Sequence, residues 1–395
     1  MRPLACARSL EKHCVQRAAS IEPRCESPVE SQLQSGVGHQ RAVWPRLAWR
    51  HVVIGIAVHY SAAEERLLQA AADTWLRMAG GADLVLVTDI DDPRNASAIA
   101  PRMATGGDAL TVHVFRCAEC RGAKCTGTAA ADSAGAGTGG CAGVREGWLA
   151  RRKVLHMFVA MARLFSVVPS PTSGSHLDGG APRKEIFIKV DPDTVPVPHN
   201  LLRLLGELDA TLGRSQPYYF GMAACRVASF ALCHAAGGAG YGLSRSAVGM
   251  LDGYLAAEYP RLLPRVDKFT YGGEDVTVAF ALKKAGGVSV VNAGCLYQHE
   301  PRKYTKLHAK GEAWVRWPLS TTPASFHKFK DAEEMRTFFK CALYDSDGKP
   351  RPAPRSLFAT ACKQAGVRAP RATDGKALAS AIVRDVGVVS MRSAA

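Results

Sequence analysis

Asp191 and Asp193 stand one residue apart at the end of an apolar, β-branched run, Lys184 to Val190 (KEIFIKV). Carboxylates at alternate positions of an extended segment set two hard oxygen ligands beside one cation. Mn2+ or Mg2+ held there would bridge a nucleotide diphosphate and act as a Lewis acid on it. Alone, a D-x-D triplet reads sooner as a turn with two solvated carboxylates; its place directly after a buried strand raises it to a candidate site. A second acidic pair, Glu274-Asp275, follows Gly272-Gly273 and opens an apolar helix. A carboxylate there gains about 0.3–1 kcal/mol from the helix dipole, so capping alone accounts for the acids. It does not account for the glycines, which let the backbone approach a ligand closely and aim a carboxylate into a site as general base. His299, in Tyr297-Gln298-His299-Glu300, is polar at a strand end and reads either as a third metal ligand or as a surface histidine.

These groups need a scaffold, and the chain supplies alternating strands and helices. VVIGIAV (Val52 to Val58) is a strand buried on both faces, Ala62 to Met78 has helical spacing, and Leu84 to Val87 is a second buried strand ending in Thr88-Asp89. Polar residues at the carboxyl end of such a strand lie where open α/β sheets bind ligands, which marks Thr88 and Asp89. Leu110 to Phe115 is a third strand. Trp148 to Phe165 is a helix whose Arg151, Arg152 and Lys153 form either a solvated face or a contact to an anion. After Asp193, Pro196 and Pro198 hold the chain extended until Asn200 caps a helix through Leu212. Gly237 to Ser244 is a glycine-rich turn into a short strand, followed by a helix from Arg245 to about Glu258 and a strand at Val288 to Val291. Gly/Ala-rich and Pro/Ser/Gly-rich stretches at about 116–147 and 167–182 have the composition of insertions.

Composition narrows the class. The 395 residues are 47% hydrophobic and 22% charged, which excludes a wholly disordered chain and leaves room for one large α/β domain or two ordinary ones. The net charge of +15 first suggests a polyanionic partner, but its distribution matters more. Residues 1–50 carry eight basic and four acidic side chains, 51–300 carry 24 and 23, and 301–395 carry 18 and eight. The excess belongs to the tails, and a nucleic-acid-binding protein using them is the rival class. Against it, the basic residues after 300 are scattered, aromatics other than Trp314, Trp317, Phe326 and Phe329 do not interleave with them, and no recognition motif appears. Among twelve cysteines, Cys117 and Cys120 have the reach of half a zinc knuckle, but Cys125 and Cys141 stand alone, which favours disulfides or free thiols. No stretch approaches the ~20 apolar residues of a membrane span. Asn95-Ala96-Ser97 is a glycosylation sequon of the kind that matters only in a secreted protein.

The order of these motifs resembles the beta-1,3-glycosyltransferase family of the Fringe and core 1 galactosyltransferase type over roughly residues 51–305. IFIKVDPDTVPVPHNLLRLL (186–205), GGAGYGLSRSAV (237–248) and GGEDVTVAFALKKAG (272–286) carry it. The resemblance implies an α/β GT-A fold, a Rossmann-like nucleotide-sugar domain with a mostly parallel mixed sheet flanked by helices. It implies a metal-dependent inverting hexosyltransferase that uses Mn2+ (or Mg2+) and moves a hexose from a UDP-sugar to a glycan or glycoprotein hydroxyl. By position, Asp193 and His299 correspond to metal ligands, Asp275 to the general base with Glu274 beside it, and Asp191 to a contact near the ribose or sugar. Arg66, Thr88, Asp89, Lys153 and Gly238 correspond to the nucleotide-sugar side. Two departures stand out: the acidic triplet of the family has Pro192 at its middle here, and Val195-Pro196 replaces an expected aromatic. A homologue that binds sugar nucleotide without turnover is therefore a third reading. Members are anchored in the Golgi by an amino-terminal span, which is not visible in this sequence; residues 1–50 and 306–395 read as basic extensions.

Overall fold

A computed structural model describes residues 47–59, 61–89, 110–117, 140–167, 183–226, 232–269, 273–301, 303–304, 322–340 and 383–389. Val52–Ala57 forms β1, Asp83–Asp89 β2, Thr111–Cys117 β3 and Ile186–Val190 β4. Further strands are β5 (Val195–Pro196), β6 (Tyr219–Gly221), β7 (Ala223–Arg226), β8 (Leu232–Ala235), β9 (Tyr241–Ser244), β10 (Val290–Asn292), β11 (Leu296–Tyr297), β12 (Ser325–Phe326) and β13 (Val383–Val389). Eight of them make one sheet in the order β10-β6-β9-β4-β1-β2-β3-β13. Every pairing in it is parallel except the two made by β9. The α/β reading with a mostly parallel mixed sheet therefore holds.

The helices are α1 (Ala62–Asp73), α2 (Gly140–Leu164), α3 (Pro198–Leu212), α4 (Arg245–Phe269), α5 (Glu274–Gly286) and α6 (Ala332–Phe338). They cover both faces of the sheet, which is why its strands read as continuous apolar runs. Val52, Ile54 and Ile56 pack with Leu67, Leu204 and Met335 of α1, α3 and α6 on one face. Val53, Val85 and Phe187 pack with Phe158, Leu251 and Val278 of α2, α4 and α5 on the other. At Gly55, a Cβ would fall 2.3 Å from Met161 Cε and 2.4 Å from Met157 Sδ, so α2 sits on β1 as closely as glycine allows.

Several boundaries differ from the sequence reading. The first helix ends at Asp73 and gives way to a 3₁₀ turn at Trp75–Met78. α2 begins at Gly140, inside the stretch read as an insertion, because glycines at 140 and 143 disguise a helix start. α3 begins at Pro198, a position where proline's missing N–H costs nothing, and Asn200 is not its cap. The Asn200 amide instead donates to Pro323 O at 2.9 Å, inside the fold. α4 runs on to Phe269. The packed unit also continues past residue 305: Phe326, Phe329, Met335 and Phe338 join the core of α1 and β1. Phe326 and Phe329 are thus not free to stack on nucleic-acid bases.

The strand order reverses between β1, which leads to β2 and β3 on one side, and β4 on the other. Open α/β sheets leave a crevice at the carboxyl ends of strands at such a switch point. Here those ends are His59 after β1 and Asp191 after β4. A small sheet, β11-β12-β5, stands beside this crevice and brings the chain after residue 322 to it. The hairpin β7-β8 is closed by a Cys225–Cys233 disulfide, and Cys117 and Cys295 are each in a further disulfide. A disulfide sulfur is no thiolate ligand, which removes Cys117 from a zinc site; Cys120 and Cys125 lie outside the described residues, as does the sequon at 95–97. No helix among the described residues is long and apolar enough to cross a membrane.

Candidate active site

Asp191 to Thr194 is a tight turn and not the extended segment that the prolines suggested. Thr194 N–H donates to Asp191 O at 3.0 Å, and Asp191 N–H donates to Thr194 Oγ1 at 3.3 Å. Pro192 occupies the second position of this turn, where its fixed φ is favoured. Pro192 thus sits between the two outer carboxylates within one turn. Two further bonds hold the turn: Thr194 Oγ1 donates to Gly238 O at 2.8 Å, and Phe329 N–H donates to Asp193 O at 3.2 Å.

That last bond brings His327 against the carboxylates. His327 Nε2 lies 3.0 Å from Asp193 Oδ1 and 3.7 Å from Asp191 Oδ2. Ligand atoms of Asp191, Asp193 and His327 all lie within 4.8 Å of one another, a group able to hold a metal ion. The imidazole is oriented from behind, since its Nδ1 lies 3.2 Å from Gln298 O. A proton on Nδ1 donated to that carbonyl leaves the Nε2 lone pair facing two carboxylates, an arrangement that a shared cation satisfies. Two hard oxygens and a neutral imidazole suit Mn2+, and Mg2+ less closely.

The resemblance put His299 in this role, and the structure brings His327 there instead. His299 is buried at the end of β11, with its ring 6.0 Å from that of Tyr304. Burial, and then the charges of Lys328 and Lys303, push it down to about 4, so it is neutral at pH 7. Sequence reading missed His327 because it lies beyond the expected domain end, in Ser325-Phe326-His327, without a neighbouring motif. Lys328, which follows it, has φ 71°, a left-handed conformation costing a non-glycine residue about 1 kcal/mol or more. This strained residue sits between His327 and the Phe329 bond to Asp193.

The glycine-rich turn Gly237–Gly240 is the hub of the site. Ala239 N–H donates to Gln298 Oε1 at 3.0 Å, and Ser325 Oγ donates to Ala239 O. A Cβ at Gly238 would meet His327 Cε1 at 1.9 Å and Nδ1 at 2.1 Å; at Gly237 it would meet Glu274 Oε1 at 2.1 Å. Gly238 therefore makes room for the imidazole, a different reason from the nucleotide-sugar contact the resemblance implied. Gly238→Ala should displace His327 and lower Mn2+ affinity about tenfold or more, with secondary structure unchanged by circular dichroism. Equal Mn2+ affinity would show that His327 does not contribute.

On the other side of the turn, Asp275 Oδ2 accepts from Gly237 N–H at 2.9 Å, and Oδ1 accepts from Val276 N–H at 2.8 Å. Burial, reinforced by the adjacent Glu274, pushes Asp275 up to about 6, although those N–H groups and Lys189 oppose the shift. His234, on β8, stands 3.7 Å from Asp275 Oδ2. Glu274 is engaged differently, with Oε1 2.9 Å from the ammonium of the buried Lys189. Gly272 lies outside the described residues.

Thr88, Asp89 and Lys153 meet at the carboxyl ends of β1 and β2, all buried. Lys153 Nζ lies 2.6 Å from Asp89 Oδ1 and donates to Val58 O and to His59 Nδ1, both at 2.8 Å. Lys153 is therefore no part of a solvated face, and Arg151 is buried as well. Arg66 is exposed on α1. Glu64 was not singled out by sequence reading: its Oε2 accepts from His59 N–H, and burial, with Asp191 and Asp193 adding to it, pushes it up to about 7. The Ser61-x-x-Glu64 pattern signals a capping box, and Ser61 does accept from Glu64 N–H at 3.2 Å, but the Glu64 side chain turns toward the crevice strand.

The molecule is thus an α/β protein with two carboxylates and a histidine, a group able to hold a cation, at its topological switch point. No family model matches the chain, and no curated protein matches it. Among solved structures it is similar to the glycosyltransferase GlyE of Streptococcus pneumoniae TIGR4, at 11% identity and TM-score 0.34, over 70% of this chain and 53% of that one. It is also similar to mouse xyloside xylosyltransferase 1 in its apo form, at 12% identity and TM-score 0.37, over 71% and 97%. The chain spans about half the length of the first of these. Both likenesses are distant, and the functional reading rests on the side chains.

Proposed function

We propose that the protein is a metal-dependent, inverting glycosyltransferase of the GT-A type that transfers a hexose from a UDP-sugar to a hydroxyl of a glycan or glycoprotein. The observation that carries this reading is the trio Asp191, Asp193 and His327 at the switch point, with a buried carboxylate, Asp275, across the glycine-rich turn. Asp191, Asp193 and His327 would hold Mn2+. When bound, such an ion supplies Lewis-acid neutralisation of the charge that builds on a departing diphosphate. Lys328, close enough to interact with Asp193, adds positive charge on the same side.

Asp275 is the base in this scheme. It takes the proton of the acceptor hydroxyl, the hydroxyl oxygen bonds to the anomeric carbon, and the bond from that carbon to the UDP oxygen breaks, with inversion. A carboxyl held near 6 by burial is ionised at neutral pH yet basic enough to accept the proton. Thr88, Asp89, Lys153 and Arg66 belong to the nucleotide side, with the Asp89–Lys153 pair forming its buried wall. A beta-1,3 linkage and a Golgi location follow from the motif resemblance alone.

Thermal-shift and UDP-release assays over a panel of UDP-hexoses, with and without Mn2+, test the reading. One donor should raise Tm only together with Mn2+, since saturation at a hundred times Kd stabilises by about 2.7 kcal/mol. The same donor should release UDP in an EDTA-sensitive reaction. Absence of any Mn2+-dependent shift or UDP release across the panel would refute it.

A further inference from the structure

Lys189 lies on β4 two residues before Asp191, and its side chain is 1% exposed. Its ammonium faces three acceptors from three elements: Asp191 Oδ1 at 2.6 Å, Glu274 Oε1 at 2.9 Å and Gly237 O at 3.3 Å. The three N–H directions of the amine are thereby used. It also stands 5.6 Å from the ring centroid of Tyr241, which closes the remaining side. Burial alone would push such an ammonium down, but Asp191 and Glu274 more than offset it and hold it above the ordinary lysine value.

The consequence falls on Asp191. One of its oxygens, Oδ1, is taken by Lys189, and the other, Oδ2, is the one turned to His327. We infer that Lys189 is a positioning residue that leaves Asp191 a single oxygen for a cation and ties the Asp191–Asp193–His327 trio to the first turn of α5. One buried ammonium thus joins the cation side to the start of α5, beside the links that the Gly237–Gly240 turn makes to Thr194 and Asp275. This inference rests on the proposed function for the meaning of the site, but not for its test.

The geometry has an electrostatic cost that distinguishes positioning from mere packing. A fixed positive charge beside Asp191 opposes a divalent cation, and removing it strengthens the field that the cation meets. Lys189→Met should therefore tighten Mn2+ binding on the order of tenfold while transfer falls on the order of a hundredfold, because Asp191 and α5 lose their common anchor. A lysine that only supports the fold would lower both together.

Mn2+ binding is read by electron paramagnetic resonance of free Mn2+ on the purified chain, without donor or acceptor, alongside urea unfolding. Tighter binding by folded Lys189→Met supports the inference, and unchanged or weaker binding overturns it. Should Lys189→Met fail to fold, Glu274→Gln replaces it and keeps the side-chain shape. With Glu274 neutral, the ammonium is left to Asp191, so Mn2+ affinity should fall several-fold; unchanged affinity there overturns the inference equally. If Mn2+ affinity moves as expected while no UDP-sugar is turned over, the positioning role stands and the transferase reading falls.

Discussion

Replacing His327 by alanine should cost the protein on the order of a hundredfold or more in Mn2+ affinity, with an equal loss of kcat/KM at limiting Mn2+. Groups that merely orient a metal ligand are worth about 10–100-fold, and His327 is one of three groups in ligand position. His299→Ala is the contrasting variant: its ring lies with Tyr304, outside the trio, and less than a tenfold change is expected. Titration of both variants with Mn2+ decides the matter. A loss in His299→Ala matching that of His327→Ala would return the metal to His299, as the motif resemblance first implied.

Asp275→Asn should lower kcat by about 10²–10⁴-fold, the range general-base catalysis contributes, while leaving Mn2+ affinity within a few-fold. In the unaltered protein, the proposed transfer should show a kcat/KM that rises with pH through a midpoint near the Asp275 value of about 6, since only the ionised carboxylate accepts the proton. The same group makes a prediction about stability. A carboxyl raised from an ordinary value of 3.8 to about 6 binds its proton more tightly folded than unfolded. Its stabilising effect is fully present below the unfolded value and is lost as pH rises through the folded one. At pH 7.5 the native state therefore carries a costly buried anion, and the stability of Asp275→Asn relative to the unaltered protein should gain about 1–3 kcal/mol between pH 4 and pH 7.5, over a pH-independent cost because an amide cannot accept from both Gly237 and Val276 N–H. At pH 4 the gain should vanish. The neighbouring Glu274, Lys189, His234, Tyr219 and Tyr241 share this environment, but none is altered by the substitution. An inactive variant whose relative stability rises with pH in this way separates catalysis from folding; an equally inactive one whose stability loss is the same at both pH values would mean that Asp275 is structural.

Much of the scaffold was legible because it rests on local chemistry. β1, β2 and β4 are continuous apolar runs since both faces are covered, and α5 announces itself by glycine followed by acids. The short strands were not legible. β5, β11 and β12 are two residues each and become a sheet only when chain segments more than a hundred residues apart meet. α6 packs on α1 through such long-range contacts too, with Arg336 bonded to Asp73 at 2.9 Å.

For the site, the sequence by itself determined which groups have the chemistry: the D-x-D carboxylates at the end of a buried strand, the acidic pair at a helix start, and the glycines between them. Only the tertiary structure decided which histidine joins the carboxylates, since His327 reaches them through β12 and a bond from Phe329 to Asp193 that no spacing rule encodes. It also decided that Glu274 serves Lys189 while Asp275 faces the turn, although the two are adjacent in sequence. The physical reason is the same in both cases. Residue type sets what a side chain can do, but its partners come from packing between elements far apart along the chain.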